Sequence, residues 1–299
     1  MGNPTRSTGV RLDLLGRSEE GRPIRVLYLG REDAPLRVLI LSGQHGDERG
    51  ARGGVRCFSR AHARDGRATG DVALAVVRNL NPDGAARHSR RNARGVDLNR
   101  DHLRLASAEV RAFHEFVRSW SPHLVIDVHD YPTRRTHLLA RGLAYCHDLF
   151  LDVPTNPAAP HPEPGSWDDV LLRPMIAELA ALGYRSGQYT LVKPSGRVRH
   201  STPDILDARN GLSLLHGVPC LLLEGRHTSR REGEGARTLV REAMATALGL
   251  AVRWAVGHRD LLTSSPPPPH PGEPVVIRSR YAREPVPFHM AFHDIRAGG

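Results

Sequence analysis

The chain has 299 residues, enough to bury a sizeable core, and its 39% hydrophobic and 25% charged residues exclude the disordered and collagen-like classes. Its net charge of +10 comes from arginines spread through every segment, with Lys193 the sole lysine. In the absence of an RNP, zinc-finger or helix-turn-helix pattern, this leaves no nucleic-acid partner to expect.

No apolar run approaches the ~20 residues a membrane span needs, and the first residues lack the apolar core of a secretory signal. The expectation is a cytoplasmic protein with no membrane partner. Cys57, Cys146 and Cys220 are widely spaced and form no CxxC pair, so neither a disulfide framework nor a cysteine zinc site is expected.

Taken in chain order, "IRVLYLG" (24–30) and "LRVLILS" (36–42) are branched apolar runs separated by a polar turn and read as adjacent strands. "DVALAVVRN" (71–79), "HLVIDVH" (123–129) and "VPCLLLE" (218–224) repeat the pattern. Helical periodicity is expected at 49–64, 107–119, 166–183, 204–215 and 232–258. Such alternation predicts an α/β fold with a mixed, largely parallel twisted sheet and helices on both faces. The domain would span residues 1–262. A proline-rich linker at 263–274 follows, then a short tail at 275–299 with the pattern of two strands.

His45 lies just past one predicted strand, and His129 and Glu224 end two others. In open α/β sheets the site lies beyond the carboxyl ends of the strands, so these side chains can converge. A hydrolytic zinc commonly takes two histidines and a carboxylate, and His45, Glu48 and His129 fit that set. Glu224 is then the candidate general base. Taken alone, His45-x-x-Glu48 is more often a solvated turn than a ligand site. "NLNPDGAARHSRRNARGVDLNRDH" (79–102) contains an NPDG turn directly after a strand. Arg90, Asn99 and Arg100 follow it and could form a forked donor cluster for a carboxylate, or simply an arginine-rich surface loop.

Together, HxxE, NPDG, RxNxxGVDLNR, a strand ending in histidine and a strand ending in glutamate resemble the M14 family of zinc metallocarboxypeptidases, from about residue 17 to residue 224. The resemblance implies one Zn2+ per chain held by His45, Glu48 and His129, with Glu224 as general base and proton shuttle acting on metal-activated water. It further implies that Arg90 polarises the scissile carbonyl and that Asn99 and Arg100 bind the substrate's terminal carboxylate. Asp97 would orient His45 from behind. The substrate is then a peptide or acyl amino acid with a free carboxylate. HGDE looks closer to the murein-peptide amidase and deacylase branches, so amide hydrolysis on those substrates is the alternative activity. A catalytically silent binding module of the same fold is the second.

"SGRVRHSTPDILDARNGLSLLHGVPC" (195–220) lacks the substrate-contacting tyrosine that the family places before its glutamate, leaving His200 and Tyr189 as candidates. Asp130 and Tyr131, next to His129, could line the site. His102, His137, His147, His200 and His216 have no partner at metal-ligand spacing and read as core or surface residues. The sequence carries no statement of oligomeric state.

Overall fold

The computed structural model describes residues 9–64, 71–155, 167–200, 204, 206–228, 230–263, 276–277 and 286–287. Strands β1 (Arg11–Arg17), β2 (Pro23–Gly30) and β3 (Leu36–Ser42) lead into α1 (Arg49–Arg64), followed by β4 (Val72–Val77) and α2 (Pro82–Arg87). A 3-10 turn at Leu98–Arg100 precedes α3 (Ala108–Trp120), β5 (Leu124–Tyr131), α4 (Thr136–Leu139) and β6 (Leu149–Asp152). Next come α5 (Trp167–Ala181), β7 (Ser186–Gln188), β8 (Thr190–Val192), β9 (Val198–His200), α6 (Ala208–His216) and β10 (Cys220–Arg226). The chain continues through α7 (Gly233–Gly257), α8 (Arg259–Thr263) and the paired β11 (Val276–Ile277) and β12 (Val286–Pro287). Beyond Thr263, the expected linker lies outside the described residues, as does the tail apart from β11 and β12.

Eight strands form one sheet in the order β1-β2-β4-β3-β5-β10-β6-β7. The central pairings β4–β3, β3–β5 and β5–β10 are parallel, whereas β1–β2, β2–β4 and β10–β6 are antiparallel. The sheet is mixed and largely parallel, as expected. One expectation fails: β2 and β3 are not neighbours, because β4 lies between them. The difference follows burial: every residue of β4 is buried, whereas β2 has exposed and half-buried residues among its buried ones and suits a place nearer the margin.

Strand alternation divides the core. Val38 and Ile40 of β3 and Ile126 and Val128 of β5 pack with α1, α5 and α7 on one face. Leu39, Leu41 and Val125 pack with α3 and α6 on the other. Each such fully buried aliphatic side chain contributes about 1.5–3 kcal/mol of transfer free energy. The sheet's parallel centre is thereby held rigid, and its carboxyl ends form the platform for the site. Among the described residues no helix is long and apolar enough to cross a membrane. Cys57 and Cys146 are exposed and free, and Cys220 is buried and free.

Candidate active site

β3 ends at Ser42, and the chain turns sharply through Gly43, whose φ of +72° favours glycine and whose missing Cβ leaves room for the Asn79 backbone. That turn delivers His45 and Glu48 to the mouth of the sheet just before α1 begins. His129 arrives on β5, on the α3/α6 face with Val125 and Asp127. Donor atoms of His45, Glu48 and His129, all three buried, lie within 4.8 Å of one another. Nδ1 of His45 is 2.5 Å from one Glu48 oxygen, and Nδ1 of His129 is 2.9 Å from the other.

The hydrogen positions follow from the outer partners. His45 Nε2 faces Asp97 Oδ1 at 3.0 Å, and His129 Nε2 faces Asp127 Oδ2 at 3.2 Å with the Gln44 amide nitrogen 3.1 Å away; a carboxylate only accepts, so each Nε2 bears the hydrogen it donates. Nδ1 of each ring is thereby turned toward the Glu48 carboxylate and is the nitrogen that can ligate. Two histidines and one carboxylate gathered at one point are a zinc donor set. The residues present therefore fit the ion. Burial works against ionisation of Glu48, but the charges of His45 and His129 outweigh it and hold its carboxyl well below the usual range.

Glu224 of β10 stands in direct register beside His129 of β5 and on the same sheet face. Burial pushes its carboxyl up to about 7, with His129 and His45 pulling against the rise and Glu48 adding to it. Arg90 is half-exposed. Its Nε donates to Asp97 at 3.0 Å, while its outer guanidinium nitrogen lies 3.4 Å from His45 Nδ1 and 3.9 Å from Glu48. Asn99 presents Nδ2 3.3 Å from His129 Nε2, and its Oδ1 accepts from the Ala208 backbone at the head of α6. Arg100 donates to the Asn99 carbonyl and has its Nε 3.9 Å from Asp204. His45, Glu48, Arg90, Asp97, Asn99, Arg100, His129 and Glu224 thus lie at or next to the carboxyl ends of β3, β5 and β10.

Comparison with known proteins bears on the same stretch. The family model for zinc carboxypeptidases, peptidase M14, matches residues 4–134. Carboxypeptidase 2 of Trichophyton tonsurans is 24% identical over 254 residues, 78% of this chain and 47% of the relative. Carboxypeptidase 2 of Trichophyton rubrum is 27% identical over 152 residues, 47% of this chain and 28% of the relative. The chain thus spans about half or less of the length of the curated relatives it matches.

In fold, it is similar to the carboxypeptidase A of Helicoverpa armigera, with a TM-score of 0.61 at 15% identity over 86% of this chain and 70% of the other. It is also similar to a metallo-carboxypeptidase of Pseudomonas aeruginosa solved with (2-guanidinoethylmercapto)succinic acid, with a TM-score of 0.59 at 20% identity over 81% and 65%.

Other residues named from the sequence take different positions. Tyr189 is half-buried, packs against Phe150 and feels the charge of Glu224, whereas the side chain of His200 lies outside the described residues. Asp130 does not join the ligands. As the residue after His129 it points to the opposite face, where it accepts from the Gly50 backbone at 2.8 Å and anchors the start of α1. The Tyr131 hydroxyl is spent on the His147 carbonyl. Asp47 is exposed and lines a groove of about 610 Å3 with Arg49, His88, Asp130 and Arg241.

Two polar residues behind the ligands escaped the sequence reading. Asp127 carried a usable signal, a carboxylate inside the otherwise apolar run "LVIDVH". Gln44 carried none.

Proposed function

We propose that this chain is a zinc-dependent carboxypeptidase that hydrolyses an amide bond next to a free carboxylate. The observation that carries the reading is the convergence of the two Nδ1 atoms on Glu48 with Glu224 in register beside His129. His45, Glu48 and His129 would hold one zinc per chain, and Asp97 would keep His45 in the ligating tautomer. Zinc bound there supplies Lewis acidity to the carbonyl and lowers the pKa of water.

Glu224 takes the proton from the attacking water and returns it to the leaving nitrogen. Arg90, with its outer nitrogens free of carboxylate contacts shorter than 3.9 Å, donates to the developing oxyanion. Asn99, through Nδ2, and Arg100 receive the substrate's carboxylate. A carboxylate-bearing ligand on the Pseudomonas aeruginosa neighbour is in keeping with this choice of substrate.

The test is hydrolysis of a peptide with a free C-terminal carboxylate and of its C-terminal amide, run beside acyl amino acids and γ-glutamyl cell-wall peptides. The free-acid peptide should be cleaved, the amide spared, and activity lost on chelation and restored by zinc. Glu224→Gln should keep zinc while losing at least about a hundredfold in rate. Peptide hydrolysis that persists after chelation and in Glu224→Gln overturns the proposal. Preference for acyl amino acids or γ-glutamyl peptides would instead place the activity with the amidohydrolases.

A further inference from the structure

A file of buried polar side chains runs from the back of the candidate zinc site to the edge of the α3/α6 layer. Gln44 Nε2 donates to Asp127 Oδ1 at 2.8 Å, and Gln44 Oε1 faces His102 Nε2 at 2.7 Å. His102 Nδ1 faces His114 Nε2 at 3.0 Å, and His114 Nδ1 faces His216 Nε2 at 2.9 Å. Gln44, His102 and His114 are buried, and His216 is half-buried at the last position of α6. The five side chains come from the β3–α1 turn, the loop after the 3-10 turn, α3, β5 and α6, so no local motif explains their alignment.

The order of donors in this file is determined by chemistry. Asp127 as a carboxylate only accepts, so the Gln44 amide must turn its NH2 inward and its oxygen outward. The oxygen requires a hydrogen on His102 Nε2. A neutral ring with that hydrogen has a bare Nδ1, which accepts from His114 Nε2, and the same step repeats from His114 to His216. All three rings are therefore Nε2–H tautomers whose hydrogens point toward Asp127. Burial lowers the basicity of each ring, to about 3 for His102 and about 4 for His216, with the Arg118 charge adding to the fall at His216, so the rings are neutral near pH 7.

We propose that Gln44, His102, His114 and His216 are positioning residues: a buried relay that holds Asp127 as an acceptor aimed at His129 Nε2, and so keeps the His129 Nδ1 lone pair turned toward the metal. The inference rests on the zinc reading above. It concerns residues that touch neither metal nor substrate. A packed core alone would be satisfied by any side chain of similar shape, whereas the relay needs a donor at position 102. Without it, Gln44 is free to reverse its amide and present oxygen to Asp127, and the grip on His129 loosens.

Zinc affinity of the full chain is measured by chelator competition for the wild type, His102→Phe and His102→Gln, with imidazole 15N spectra of the metal-free wild type. His102→Phe fills the ring's space without a donor and should weaken zinc binding about 10- to 100-fold, the usual cost of losing a partner behind a ligand. His102→Gln restores a donor and an acceptor and should keep wild-type affinity. The spectra should show His102, His114 and His216 as neutral Nε2–H rings at pH 7.

Undiminished zinc affinity in His102→Phe, or equal loss in His102→Gln, overturns the relay while leaving the zinc reading intact. A wild-type chain that binds no zinc overturns the zinc reading itself. Should His102→Phe fail to fold, the wild-type spectra decide, since an Nδ1–H or protonated ring in the file is incompatible with the proposal.

Discussion

At the scale of single residues, the site depends on which nitrogen of each histidine bears a hydrogen. Asp97 decides this for His45. Its Oδ1 takes the His45 Nε2 hydrogen, its Oδ2 takes Arg90 Nε, and the Asn99 backbone adds a further donor to Oδ1. Burial raises the Asp97 pKa, but the His45 hydrogen bond and the charges of His45, Arg90 and Arg100 hold it well below the usual range. Asp97→Asn keeps the shape and removes the charge. We expect a fall in zinc affinity of about 10- to 100-fold, read by chelator competition, with activity largely recovered in excess zinc. An unchanged affinity would show that His45 is oriented by something else. His45, Glu48, Arg90, Asp97, Asn99 and Arg100 were legible in the sequence because they sit in short segments where spacing carries the information. Gln44 was not, because its value lies in what stands behind it, and those partners are 58 and 83 residues away.

At the scale of elements, the turn carrying His45 and Glu48 is pressed against α2. A Cβ at Gly46 would stand 2.0 Å from the Gly84 carbonyl carbon, which is backbone and cannot swing aside. Asn81 caps α2 by accepting from Gly84 N at 2.8 Å and also donates to the Gln44 carbonyl at 3.0 Å, so the same asparagine ties the helix to the ligand turn. We expect Gly46→Ala to destabilise the protein by about 1–3 kcal/mol or more through overpacking, seen as a lower urea midpoint, and to weaken zinc binding along with it. A variant with wild-type stability and zinc affinity would mean that α2 and the turn can separate freely.

NPDG illustrates what local reading misses at this scale. The motif reads as a turn, yet Pro82 opens a helix, because proline at the first helical position costs no hydrogen bond and Asn81 supplies the cap. The main helices α1, α3, α5, α6 and α7 were legible from periodicity. The short β6 and β7 were not, since three or four residues carry no period.

At the scale of the whole molecule, burying the neutral histidines of the α3/α6 layer links stability to acid. An unfolded histidine takes a proton below about pH 6.5, whereas His216 in the fold does so only near 4. The unfolded chain therefore binds more protons between these values, and the stability present above 6.5 is lost as the pH falls toward 4. For His216 the loss between pH 7 and pH 5 is about 2 kcal/mol. His216→Gln should shrink the acid-induced drop by that amount in urea titrations at the two pH values. An identical drop in variant and wild type would show that His216 titrates alike in both states.

The sequence by itself determined the α/β class, most principal elements, and the residues that gather at the carboxyl ends of β3, β5 and β10, because hydrophobic period and motif spacing are local properties. Only the tertiary structure decided that β4 separates β2 from β3, that Asp130 faces away from His129, that Glu224 stands in register beside it, and that three histidines line up behind Asp127. Register, sheet order and hydrogen-bond files join residues far apart in the chain, and no periodicity in the sequence records which distant partner a buried polar group will meet.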